Sequence, residues 1–101
     1  MSCMTAYVIS EVKFLDHALA DEYRRLAEAS ILRHGGRYVV RGARPDAVEG
    51  TWPSEQRLVI VEFPDMERAK EWYASSEYAQ ALKIRQVALE RRLLFAEGLP
   101  E

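Results

Sequence analysis

RLVIVEF, residues 57–63, is the strongest strand signal in the chain, and its alternation sets how the sheet is covered. Val59, Val61 and Phe63 are wholly apolar, so their face belongs beneath a layer of helices. Leu58, Ile60 and Glu62 then point to the other, open face. Just upstream, HGGRYVVRG at 34–42 joins a helix end to a second strand. Gly35 supplies the left-handed residue that closes helices, and RYVVRGA at 37–43 is the strand. By the same alternation Tyr38 and Val40 go under the helices, while Arg37, Val39 and Arg41 join the open face. The connection ARPDAVEGTWPSEQ has two prolines, one glycine and no clear period, and it is too long for a tight hairpin turn.

Farther out, AYVISEV at 6–12 is a short strand whose open-face set is Tyr7, Ile9 and Glu11. Asp16 offers an N-cap to HALADEYRRLAEASILRH at 17–34, where Leu19, Tyr23, Leu26, Ala27 and Ile31 recur at helical spacing. Downstream of Phe63, helical spacing runs through Met66, Ala69 and Trp72 or Tyr73. Ser75 and Ser76 break it into two helices, the second starting near Glu77 with Tyr78, Ala81, Leu82, Arg85 and Leu89 turned inward. RRLLFAEG at 91–98 is the fourth strand, in a register that its pattern leaves open. The order βαββαβ predicts an α+β, ferredoxin-like fold: a four-stranded antiparallel sheet with its helices on one face, one domain over residues 1–101.

Composition narrows the function. The 101 residues carry 14 basic and 16 acidic side chains, a net charge of −2, which disfavours nucleic acid and anionic membrane surfaces as partners. The one cysteine, Cys3, excludes an internal disulfide and a cysteine-rich metal site, and reads as an incidental thiol. With no signal-like start and no run of 18 apolar residues, a soluble, cytoplasmic protein is expected. Dinucleotide, phosphate-loop, nucleophile-elbow and kinase motifs do not occur, and no two histidines are spaced to share a metal. Neither cofactor nor metal is expected.

The open face mixes aliphatic groups (Ile9, Val39, Leu58, Ile60) with charges (Glu11, Arg41, Glu62), a surface suited neither to water nor to a dry core. Burying four such aliphatic side chains stabilises an association by about 6–12 kcal/mol before entropic costs. A second copy of the chain is the simplest cover. Stacked sheets would enclose a shared pocket holding the charges, able to pair with one another or to take a small-molecule ligand.

Four stretches together, HGGRYVVRG at 34–42, EGTWP at 49–53, VIVEFPDMERAKEWYASSEY at 59–78 and Arg85, resemble the family called domain of unknown function 1330, within the dimeric α/β-barrel superfamily. The resemblance covers nearly the whole chain. It implies a ferredoxin-like protomer and a homodimer whose sheets stack, but supplies no activity. The wider superfamily spans cofactor-free monooxygenases, muconolactone-isomerase-like enzymes, haem-handling proteins and ligand-binding domains, among which fold does not choose.

Candidate site residues follow from the open face and its surroundings. Arg41 is a bidentate anion anchor or the partner of a carboxylate in the facing sheet. Glu62 is a general base in a semi-enclosed pocket or half of an ion pair, and His34 is the next candidate for moving a proton, or a helix-end group placed for the dipole. Tyr7 on the open face, and Tyr78 with Arg85 seven positions apart on one helix, are candidate ligand contacts. Trp52 in its mobile-looking connection reads equally as a pocket lid and as an anchor across the dimer seam. His17, in the first turn of its helix, reads as solvated. Two functions fit: a cofactor-independent enzyme acting on a small anionic or aromatic, enolisable substrate at the dimer interface, with Glu62 or His34 moving a proton, or a non-catalytic homodimer that binds such a molecule. An RNA-binding module does not fit, because RLVIVEF lacks the aromatic and glycine pattern of such sheets.

Overall fold

A computed structural model describes residues 4–100, so Cys3 lies outside the described residues. The elements are β1 (Met4–Phe14), α1 (His17–Arg33), β2 (Arg37–Ala43), β3 (Gln56–Phe63), α2 (Met66–Ala74), α3 (Ser76–Ala88) and β4 (Leu89–Pro100). All pairings are antiparallel in the order β2-β3-β1-β4, the ferredoxin-like arrangement that the element order predicts.

Local chemistry sets the joints. Asp16 accepts a hydrogen bond from the Leu19 amide at 3.0 Å and Asp65 one from the Arg68 amide at 2.8 Å, each capping a helix start. Ser75 ends α2 and begins α3: its hydroxyl donates back to the Trp72 carbonyl at 2.7 Å and accepts from the Tyr78 amide at 3.1 Å. Gly35 leaves α1 at φ 82°. Gly36 is required by a close approach, since a Cβ there would stand 2.7 Å from Phe63 and 2.8 Å from Ile31.

Packed on the sheet by Ala6, Val8, Val61 and Phe63, the core centres on Trp72, which stacks with Phe63 and Tyr78 at ring separations of 5.4 and 4.2 Å. Its indole N–H donates to Ser30 Oγ at 3.0 Å, and that hydroxyl donates to the Ala27 carbonyl at 2.7 Å, so the polar edge of the largest core residue is satisfied. Trp72 is the inward member of the Trp72 and Tyr73 pair; Tyr73 is exposed.

The alternation of β1 and β3 holds. In β1, Ala6, Val8, Ser10 and Val12 are buried beneath the helices, while Tyr7, Ile9 and Glu11 are half-buried on the open face. The undecided strand, β4, pairs Arg91 with Val12 and Leu93 with Ser10, so Leu89, Arg91, Leu93 and Phe95 face the helices.

β2 departs from alternation. Tyr38 pairs with Val61, but Val40 pairs with Ile60 and Arg41 with Val59, so Val39 is an extra residue, a β-bulge. One extra residue reverses every face beyond it. Val40 therefore shares the open face with Ile60, and Arg41 turns beneath the helix layer, the reverse of the simple reading. A second shift at Gly42, φ 75°, returns Ala43 to the open side opposite Leu58.

Candidate functional site

A cavity of about 480 Å³ lies between the sheet and α1, within one protomer and on the opposite side of the sheet from the open face. Its floor is the helix-facing set of strand residues, Val8, Ser10, Val12, Val61 and Leu93; Tyr23, Ala27 and Ile31 of α1 roof it. Phe14, Tyr38 and Trp72 add aromatic walls. Four arginines, Arg24, Arg41, Arg57 and Arg91, line it together with His17, and among the described residues no aspartate or glutamate does.

Three of these arginines have partners near the rim. Arg41 donates to Glu28 of α1 at 2.9 Å and lies over the Tyr38 ring at 4.4 Å, an arrangement that only the Val39 bulge permits. Arg24 pairs with Asp21 at 2.9 Å and covers Phe14, and Arg57 donates to the Gly42 carbonyl at 3.2 Å.

Arg91 differs. Half-buried on β4, it donates from its two terminal nitrogens to the hydroxyls of Tyr23 and Tyr78, each at 2.7 Å, and those hydroxyls lie 2.6 Å apart. Among the described residues no carboxylate forms an ion pair with it. Burial disfavours the cation, but the two tyrosine oxygens outweigh that effect and hold Arg91 protonated. Burial also pushes the phenols of Tyr23 and Tyr78 up, against the pull of Arg91, so both are neutral near pH 7. Tyr38 is pushed up to about 12, again chiefly by burial. The arrangement presents a fixed positive charge and neutral hydroxyls to a largely apolar chamber, the chemistry that holds an anionic oxygen.

The residues singled out from sequence scatter over three regions. Arg41 lines the cavity, and Tyr78 stands behind it, holding Arg91. Glu62 and Tyr7 lie directly across from each other on the open face, where Glu62 accepts from Arg37 at 2.8 Å. His34 caps the C-terminal end of α1 and meets Glu77 at 3.2 Å, away from the cavity lining. Glu77 is held low, first by the Ser76 hydroxyl and then by its own backbone, with His34 contributing less. Trp52 donates to the Gln56 carbonyl at 2.9 Å, pinning the connection to the start of β3, and Arg85 is half-buried on α3, also outside the lining. Three residues of the cavity escaped the sequence reading: Tyr23 passed as a core position, Ser10 as a strand residue, and Arg91 as part of an unregistered strand. The available signal was Arg91-Arg92, adjacent arginines of which one must face the helices.

Residues 5–99 match the family described as a domain of unknown function, DUF1330. The chain belongs to that family. No curated protein matches it. A crystal structure of a protein of unknown function from Rhodopseudomonas palustris is similar, with a TM-score of 0.78, 20% identity, and 95% of this chain and 83% of that one covered. SnoaB, a cofactor-independent oxygenase from Streptomyces nogalater, aligns with a TM-score of 0.68 at 10% identity, over 92% of this chain and 91% of its own. A conserved protein of unknown function from Bacteroides thetaiotaomicron, a possible oxidoreductase, aligns with a TM-score of 0.67 at 14% identity, over 93% of this chain and 97% of its own. These likenesses establish the ferredoxin-like fold and carry no activity with them. Among the described residues no helix is long and apolar enough to cross a membrane, and no three histidine, cysteine, aspartate or glutamate side chains gather as metal ligands.

Proposed function

We propose that this protein binds a small, partly apolar molecule carrying an anionic oxygen in the cavity between the sheet and α1, with Arg91 as the anchor. One observation carries the reading: Arg91 is withdrawn from bulk water beside an apolar chamber with two neutral phenols as partners and no carboxylate. A guanidinium so placed keeps its charge and favours an anion that neutralises it. Binding fits the site better than turnover. Among the described residues the lining holds no aspartate or glutamate to take a proton from carbon, its one imidazole, His17, is solvent-exposed in the first turn of α1, and both Glu62 and His34 stand elsewhere. Melting temperatures measured with a panel of aromatic and aliphatic carboxylates test this. The native protein is expected to be stabilised by some of them, Arg37→Met to respond like the native protein, and Arg91→Leu to lose the response. A native protein indifferent to the whole panel, or an Arg91→Leu protein that responds equally, refutes the reading. Turnover of a bound acid would move the function to the enzyme class.

The same proposal includes a cytoplasmic homodimer closed over the open face. Ile9, Leu58 and Ile60 are half-buried there, and Val39 and Leu94 are 43% and 45% exposed, a patch that a facing copy would cover. The charges that flank it are already paired within the chain, Arg37 with Glu62 and Arg92 with Glu11, each at 2.8 Å, which lowers the cost of enclosing them. Light scattering at micromolar concentration is expected to exceed the 11.6 kDa of one chain, and Ile60→Asp to drive the protein toward monomer or aggregate. A single-chain mass for the native protein would sink the dimer.

A further inference from the structure

The hydrogens of the Arg91 cluster can be counted. A guanidinium only donates, and each phenol carries one proton. Arg91 already donates to both tyrosine oxygens, and one phenolic proton makes the 2.6 Å bond between them. The other phenolic proton has no acceptor among the described residues. Tyr23 lines the cavity whereas Tyr78 is fully buried behind it, so Tyr78 donates to Tyr23 and the free O–H of Tyr23 is the one that meets a ligand. A second polar group lies on the sheet floor. Ser10, in the middle of β1, is only 4% exposed, lines the cavity, and its hydroxyl has no hydrogen-bond partner among the described residues. A buried hydroxyl left unpaired is costly, so its presence in an otherwise aliphatic stretch of strand points to a partner supplied from outside the chain.

These two groups come from different layers. Tyr23 hangs from α1 with its hydroxyl drawn toward β4 and α3 by Arg91 and Tyr78, while Ser10 rises from the sheet floor, diagonal to Arg91 across the β1–β4 ladder. Phe14, Tyr38 and Trp72 supply flat apolar surfaces between. We propose that the cavity takes an aromatic acid bearing a hydroxyl at the far end of its ring, its carboxylate received by Tyr23 and Arg91 and its hydroxyl by Ser10. This rests on the cavity reading above and makes Ser10 the specificity-determining contact. Serine suits that role because its hydroxyl both donates and accepts.

Calorimetric titration of the native protein with benzoate, 2-hydroxybenzoate and 4-hydroxybenzoate tests the inference. The 4-hydroxy acid is expected to bind about threefold to tenfold more tightly than benzoate, the range of one net hydrogen bond, and the 2-hydroxy acid to gain no such advantage. Ser10→Ala should erase the preference while leaving benzoate affinity within about twofold. Equal affinity for benzoate and 4-hydroxybenzoate, a preference for the 2-hydroxy acid, or a preference that survives Ser10→Ala overturns the inference and leaves the cavity reading standing. If none of the three acids binds the native protein, the inference falls, and the cavity reading falls with it only when the wider carboxylate panel is also without effect.

Discussion

Replacing Tyr78 by phenylalanine isolates the hydroxyl that holds Arg91 from the ring that packs the core. The ring is fully buried and stacks on Trp72 at 4.2 Å, contacts that phenylalanine keeps. What is lost is an acceptor for a charged donor, Arg91 Nη2 at 2.7 Å, and a neutral bond to Tyr23 at 2.6 Å. The first contributes about 1.5–3 kcal/mol and the second about 0.5–1.5, and leaving a guanidinium N–H unpaired puts the total in the upper part of their sum, about 3–4.5 kcal/mol. Arg91→Leu removes the cation and its burial cost together, and the two phenols remain bonded to each other, so it should change stability by only about 1 kcal/mol either way. The double variant then costs less than the two singles added, with a coupling of about 1.5–3 kcal/mol between Tyr78 and Arg91. Urea unfolding at one fixed protein concentration measures all four members of the cycle. A Tyr78→Phe loss under about 0.5 kcal/mol, or additive singles, would show that the Arg91 cluster is not the cohesive unit described.

Other consequences are sharper in sign than in size. Gly36→Ala places a Cβ within 2.8 Å of both Phe63 and Ile31, two core residues, and should cost about 1–3 kcal/mol in urea unfolding; a neutral variant would refute the close approach. Burial raises the folded-state pKa of Tyr23, Tyr38 and Tyr78, so their contribution to stability is complete below the ordinary tyrosine value near 10 and is lost as pH rises toward about 12, where Tyr38 titrates in the folded protein. Phenolate absorbance should therefore show Tyr23 and Tyr78 ionising only as the protein unfolds; ionisation of both near the ordinary tyrosine value with circular dichroism unchanged would contradict their burial. Glu62→Gln sits across the sheet from the cavity, and its effect on benzoate affinity should stay within about twofold; a larger loss would restore Glu62 to the site.

Much of the fold could be read from short-range chemistry. RLVIVEF declares its two faces by alternation, Asp16 and Ser75 mark helix boundaries through hydroxyl and carboxylate capping, and Gly35 marks a helix end through its positive φ. These signals are legible because each depends on neighbours within a few residues. The same rule failed in β2, where the Val39 bulge carries Arg41 from one face to the other; a bulge is decided by which strand lies alongside, and no local pattern announces it. Strand four was undecided for a related reason, its arginine pair giving either register until pairing with β1 placed Arg91 opposite Val12. The candidate site depended most on tertiary structure. Tyr23, Tyr78 and Arg91 are separated by 55 and 13 residues along the chain; Tyr23 reads alone as a core position and Arg91 as a strand residue, and in the sequence Tyr78 groups with Arg85, not with them. Packing α1 and α3 against β4 brings their polar ends within hydrogen-bonding distance, and only that convergence makes them one cluster, the proposed anchor for an anion.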